Sequence, residues 1–203
     1  MTAGGRIAGL VLAAGASTRY GGGDKLLLPF DGGTVVGASV RAAFAARLDP
    51  VLVVLGFRAR QVREALGHQA ARFIENPRYA EGIGTSLATA AAELIHDPSV
   101  AAAVILLADE PGVSSAVVRV VIDEWRDTGS TAVRAVYLDR PGHPVLVDRS
   151  LFPLLLRCEG DRGLSAALRR EGLPFHTVAI DDRAPVDIDT SEDYERAVRG
   201  RGA

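Results

Sequence analysis

The stretch LVLAAGASTRYGGGDKLLLPF (residues 10–30) sets an apolar run against a corner of small residues, then an arginine, three glycines, an aspartate and a lysine. The apolar lead-in, IAGLVLA at 7–13, has the length and near-continuous hydrophobicity of a strand covered on both faces. The small residues after it let the backbone approach a ligand closely, and successive N–H groups in such a turn make a concavity suited to an anion. In α/β proteins the loop leaving the carboxyl end of the first strand is a favoured ligand position. Arg19 and Lys25 place two cations in that loop. The local chemistry is that of a phosphate cradle, and a flexible turn with two solvated cations is the alternative. A Walker A loop does not fit, because Asp24 precedes Lys25 and Leu26 follows it; the glycines do not keep the dinucleotide spacing either.

Working outward, short apolar runs at 51–55 (VLVVL) and 103–107 (AVILL) read as further buried strands, with RFIEN at 72–76 as another strand-like piece. Longer segments with spaced apolar residues lie between them. The spacing predicts helices over 34–47, 58–66 (with Gly67 past its end), 86–95 and 115–127. This β-α alternation points to a doubly wound α/β layer structure. The later third is more mixed, with strands expected at 131–138, 144–147 and 174–180, and a helix at 164–170. A closing helix is expected over 191–198, with Ser191 as N-cap and Glu192 and Asp193 in its first turn. RGRGA at 199–203 reads as a frayed basic tail.

With 48% hydrophobic and 24% charged residues, the 203-residue chain has the balance of a globular protein, and one domain over 1–203 is expected. The formal net charge is −2, so no bulk field recruits nucleic acid or an anionic membrane, and any anion site must be made locally. The one cysteine, Cys158, has no partner for a disulfide and none at zinc-ligand spacing. The apolar run at 7–14 is too short to span a bilayer or serve as a secretion signal, so a cytoplasmic protein is expected.

Several side chains carry candidate chemistry. Asp109 follows the apolar run that ends at Ala108; a carboxylate there is placed to hold a divalent cation against phosphates, or is an ordinary turn aspartate before proline. In DIDTSED, alternation puts Asp187 and Asp189 on one face if the segment is extended, while Asp193 suits the helix start. Asn76 and the GIGTS stretch, including Gly82 and Ser86, offer amides and a hydroxyl to a nucleobase edge, or form a loop and a cap. Gly160 and Asp161 stand just before a helix whose first amides suit a phosphate, or form a plain helix start. His68, His96 and His176 read as surface or packing residues.

LAAGASTR with KLLLP resembles the signature of the nucleotidyltransferase family that includes molybdenum cofactor cytidylyltransferase. NPRYAEGIGTSL, LLADEPGV, GHPVLVDRSLFPLL, GDRGLSAALRR and VDIDTSEDYERA are similar to its later blocks, in order along the chain. The resemblance implies a three-layer Rossmann-like nucleotidyltransferase fold with a mostly parallel sheet and some antiparallel character late. It implies transfer of CMP from CTP to the terminal phosphate of a molybdopterin-type acceptor, with pyrophosphate leaving and a molybdoenzyme as recipient of the product. Arg19, Lys25 and Asp109 would be catalytic, and Asp109 with Asp189 would hold Mg²⁺. Leu12, Ala13, Ala14, Gly15, Ser17, Asn76, Gly82 and Ser86 would line the nucleotide; His143, Gly160 and Asp161 would meet the acceptor. Ala14 stands where the family separates cytidine use from guanosine use, which favours CTP over GTP. Ala108, Glu110 and the enlarged YGGGDK loop depart from the family pattern. They leave open GTP, another phosphorylated acceptor, or a non-catalytic carrier that binds nucleotide or cofactor.

Overall fold

The computed structural model describes residues 5–17, 19–21, 23–67 and 70–200. Thr18, Gly22, His68 and the tail from Arg201 lie outside the described residues.

The chain opens with β1 (Arg6–Ala13), which forms because its residues are apolar on both faces and buried from Ile7 onward. A 3₁₀ turn (Lys25–Leu27) and a small hairpin, β2 (Pro29–Phe30) and β3 (Gly33–Thr34), lead into α1 (Val35–Ala45). Thr34 caps α1, accepting the Gly37 N–H on its hydroxyl. Then come β4 (Val51–Leu55), α2 (Ala59–Leu66), β5 (Arg72–Glu75), a 3₁₀ turn (Tyr79–Glu81), α3 (Ile83–Leu94), β6 (Val100–Leu107) and α4 (Ser115–Thr128). The last third holds β7 (Ala132–Val136), β8 (Pro141–Asp148), α5 (Phe152–Leu155), a 3₁₀ turn (Gly160–Arg162), α6 (Gly163–Arg170), β9 (His176–Ala179) and α7 (Ser191–Arg199).

Seven strands form one sheet in the order β5-β4-β1-β6-β8-β7-β9. The β5-β4-β1-β6 part is parallel, β8 runs antiparallel to both β6 and β7, and β9 pairs parallel with β7. The sheet is therefore mostly parallel, with antiparallel character confined to the later third. Period-two alternation sorts its side chains into two cores. Val11, Val53 and Val104 face α1, α2 and α4, while Leu10, Val54 and Ile105 face α3, α5 and α6. This is the three-layer arrangement predicted by the strand–helix alternation.

The chain runs from β1 out to β4 and β5, then returns to the other side of β1 with β6. The strand order thus reverses beside β1, and open α/β sheets hold ligands outside the carboxyl ends at such a switch point. Among the described residues no helix is long and apolar enough to cross a membrane. The thiol of Cys158 is buried in the α5–α6 core.

Several expected boundaries differ: β6 begins at Val100 rather than 103, β8 at Pro141 rather than 144, β7 ends at Val136 rather than 138 and α1 at Ala45 rather than 47. The third helix begins at Ile83 rather than at residue 86, because the glycines that read as loop belong to a helix start pressed against another segment. A Cβ built on Gly84 would lie 2.6 Å from the Glu159 backbone, so only glycine lets that contact form. The closing helix is capped by Thr190, not Ser191: Thr190 accepts the Asp193 N–H and Asp193 reaches back, a full capping box. His176 sits 2.6 Å from Glu124, tying β9 to α4, and His96 is exposed.

Gly84→Ala should destabilise the protein by roughly 1–3 kcal/mol, the usual cost of overpacking, measured by urea denaturation. An unchanged midpoint would show that the 159–161 segment yields freely.

Candidate active site at the carboxyl ends of β1 and β6

The loop after β1 is held at both ends. The Ala108 N–H donates to the Leu12 carbonyl at 3.1 Å, and the Phe57 N–H donates to the Ala14 carbonyl at 3.2 Å. Ser17 adopts a left-handed φ of 50°, and its hydroxyl lies 3.2 Å from Asp24 Oδ1. The same Asp24 oxygen accepts the Leu26 N–H at 3.0 Å and caps the 3₁₀ turn that carries Lys25. Leu26 is buried in the core, so the turn is anchored from below and Lys25 is aimed from it. Gly15 has nothing within 4 Å of where a Cβ would stand, so its bare backbone faces open cleft.

Lys25 is 7% exposed. Its Nζ lies 2.7 Å from Asp109 Oδ2 and 3.0 Å from Asp189 Oδ1. Burial alone would lower its pKa, but Asp109 and Asp189 outweigh that and hold the ammonium above its ordinary value. Arg19 Nη1 lies 2.6 Å from Asp189 Oδ2. That guanidinium is 75% exposed, so solvent screens the pair and it adds little to stability.

Asp187 joins this cluster. Ile188 between the two aspartates is fully buried, and its N–H donates to the Asp109 carbonyl at 3.0 Å. That bond fixes the 187–189 segment against the end of β6, and alternation sends both flanking carboxylates to one side. Oxygens of Asp109, Asp187 and Asp189 lie within 4.8 Å of one another. Asp187 Oδ1 is shut off from solvent with no hydrogen-bond partner among the described residues. Burial first, then Asp109 and Asp189, pushes the Asp187 carboxyl up to about 6 against the pull of Lys25. An orphaned carboxylate oxygen among converging hard oxygens fits a divalent cation.

A cleft of about 450 Å³ opens over these groups, lined by Leu12, Ala14, Gly15, Ser17, Arg19 and Lys25, and by Gly82, Ser86 and the three aspartates. Ala13 is not among its lining residues; its methyl packs into the core. Asn76, expected to meet a base, is 2% exposed and spends its amide on the protein. Its Nδ2 donates to Thr85 Oγ1 at 2.8 Å and Ser86 Oγ at 3.0 Å, and its Oδ1 accepts the Arg78 N–H. Asn76 therefore braces the 76–86 segment, while the Ser86 it orients forms part of the wall.

A second cleft of about 360 Å³ adjoins the first, sharing Leu12, Ile83 and Asp161. It contains His143 and Glu110, whose side chain is only 6% exposed; His143 Nδ1 stands 3.4 Å from the Glu110 carboxylate. Tyr137 donates its hydroxyl to the His143 carbonyl at 2.5 Å and positions that residue. Gly160 packs against Gly82, where a Cβ on Gly82 would meet the Gly160 carbonyl carbon at 2.3 Å. The expected nucleotide and acceptor segments are thus in direct backbone contact. Asp24, Asp187 and Glu110 are parts of the site that the sequence reading did not assign.

Residues 9–176 match the MobA-like NTP transferase domain. The chain is 30% identical over 198 residues to nicotine blue oxidoreductase of Paenarthrobacter nicotinovorans, spanning 94% of this chain and 95% of that protein. The crystal structure of Rv0371c from Mycobacterium tuberculosis H37Rv is similar with a TM-score of 0.85 at 32% identity, covering 97% of this chain and 99% of that one. A complex of Rv0371c with manganese is similar with a TM-score of 0.80 at 32% identity, covering 96% of this chain and 98% of that one. The matched range runs from the β1 loop through Asp109 to His143, with Asp187 and Asp189 beyond it, and over that range the chain belongs to the MobA-like NTP transferase domain family.

Proposed function

We propose that the protein transfers CMP from CTP, as its Mg²⁺ complex, to the terminal phosphate of a molybdopterin-type acceptor and releases pyrophosphate. One observation carries this reading: the buried Lys25 ammonium, with Arg19 beside it, meets a carboxylate triad at the sheet's switch point. A nucleoside triphosphate needs cations for its phosphates and hard oxygens for its metal, and both stand in one cleft.

Asp109, Asp187 and Asp189 would hold the divalent cation, which supplies neutralisation of phosphate charge. An oxygen of the acceptor phosphate forms a bond to the α-phosphorus. The bond from that phosphorus to the β-bridging oxygen breaks, and pyrophosphate leaves with the electron pair. The attacking phosphate is already an anion, so no strong base is required, and catalysis consists of alignment and charge stabilisation. Lys25, fixed by the Asp24-capped turn, and Arg19 donate to phosphate oxygens. Gly15 exposes backbone N–H to the same group. Ala14 is buried at the corner of the cleft, and the resemblance associates alanine at this position with cytidine use. His143, Gly160 and Asp161 belong to the acceptor side. Delivery to a molybdoenzyme in the cytoplasm follows from the same reading.

A second reading, redox chemistry on a heterocycle, is favoured by the 30% identity to nicotine blue oxidoreductase. Pyrophosphate release in a panel of four nucleoside triphosphates, run beside an assay for consumption of reduced nicotinamide cofactor, separates the two. Pyrophosphate formed from CTP supports transfer. Consumption of the reduced cofactor with no pyrophosphate from any nucleotide supports the second reading.

Two variants test the assignments. Lys25→Ala should lower pyrophosphate release by about 10²–10³-fold, as for loss of a charge-stabilising donor; an unchanged rate in a folded variant would remove Lys25 from catalysis. Asp187→Asn should act in opposite directions on two measurements. The Asp187 carboxyl is held up to about 6, so at neutral pH its ionised form weighs against folding, and asparagine relieves that repulsion. The metal-free variant should therefore melt higher than wild type, while Mn²⁺ binding measured by calorimetry weakens about tenfold or more. A variant that binds Mn²⁺ as tightly as wild type would exclude Asp187 as a ligand.

A further inference from the structure

The second cleft contains a cation that the transfer scheme does not use. Arg134 lies on β7 opposite Val145 of β8. Val145 in turn pairs with Ile105, so these side chains share the α3–α6 face of the sheet. The guanidinium of Arg134 lies 3.7 Å over the ring of Phe175, and Nη2 donates to Ser165 Oγ at 2.6 Å. No carboxylate among the described residues lies within ion-pair distance, and burial depresses its pKa with no acidic neighbour to offset it. Arg149, also half-buried, differs: it donates to the carbonyls of Ile95, Asp97 and Val100. Arg134 is held flat by an aromatic ring, partly stripped of water, and carries one hydrogen bond on a fork of five donors. Leaving a desolvated cation so poorly paired is costly unless a ligand supplies the counter-charge.

We propose that Arg134 binds an oxyanion of the acceptor other than the phosphate that reacts, a carboxylate, a second phosphate or a metal oxyanion, and so selects acceptors that carry this second charge. The proposal rests on the transfer reading for its assignment of the first cleft to nucleotide. Arg19 and Lys25 line that first cleft, and Arg134 does not. Within the second cleft, the carboxyls of Glu110, beside His143, and of Asp161 form other parts of the wall, and neither is ion-paired with Arg134 among the described residues. Arg140 also lines the cleft, and it donates to the Pro185 carbonyl. Leu12, Ile105 and Val145 give the cleft an apolar floor. The acceptor that fits has an apolar or ring-like body with an oxyanion placed for Arg134.

The test is a titration of the intact protein with inorganic phosphate, and separately with acetate, followed by NMR. Mg²⁺ and the α,β-methylene analogue of CTP are present to fill the first cleft without turnover. Saturable shifts of the Arg134 Nε–H and the Ser165 amide are expected with at least one oxyanion. In Arg134→Met the midpoint read at Ser165 should rise about 10- to 100-fold, the worth of a charged hydrogen bond, and Arg134→Lys should retain part of the affinity. Absence of a saturable shift with both oxyanions in wild type overturns the proposal, as does an unchanged midpoint in Arg134→Met. The Gly15 amide reports separately on the nucleotide analogue. Its silence would count against the transfer reading, and the oxyanion titration repeated without nucleotide would still decide the role of Arg134.

Discussion

A single ammonium group organises this molecule's chemistry. Lys25 comes from the first loop, Asp109 from the end of a central strand and Asp189 from a segment 164 residues beyond Lys25. Three carboxylates brought this close would repel one another, and burial alone would pull the pKa of the lysine down. Each solves the other's problem. The lysine lets the carboxylates converge without a metal, and the carboxylates keep the lysine charged. The cost of taking one partner away is correspondingly high, because the group left behind is a buried and unmatched charge.

The sheet makes this meeting possible. Parallel strands β1 and β6 end side by side, so the loop that follows one and the aspartate that follows the other emerge at the same height. The reversal of strand order beside β1 leaves that edge uncovered by a helix connection. On the other side, Gly82 and Gly84 let the start of α3 touch the backbone at Glu159 and Gly160. Two clefts with different electrostatics thereby share a wall. One is rich in cations and carboxylates. The other has an apolar floor ringed by Glu110, His143, Arg134 and Arg140.

The parts of this arrangement that were legible in the sequence are those carried by local pattern. Continuous apolar runs gave the central strands, and the small-residue corner with Arg19 and Lys25 gave the loop. Alternation placed Asp187 and Asp189 on one face, as the buried Ile188 between them requires. What local pattern did not carry was the partner of each polar group. Asn76 looks free to read a base until the fold folds Thr85 and Ser86 back onto its amide. Asp24 looks like a loop residue until its oxygen is seen to cap the turn beneath Lys25. The start of α3 was hidden because glycine's usual meaning, a break, is reversed where two backbones must touch. Arg134 gave no signal, since its isolation is a property of which strands are neighbours.

The charge count at the triad explains why metal and nucleotide should arrive together. Asp109, Asp187 and Asp189 carry three formal negative charges when ionised, against the two positive charges of Lys25 and Arg19. The uncompensated one falls on Asp187, whose inner oxygen has no hydrogen bond and whose carboxyl holds its proton up to about 6. On the proposed reading, a divalent cation would cancel that excess and leave the cluster positive, which is the condition for receiving a polyphosphate. The phosphates would in turn offer Lys25 and Arg19 new anionic partners as the carboxylates acquired a stronger one. Binding of either ligand would then improve the site for the other by pairwise electrostatics alone, without any need for the fold to change shape.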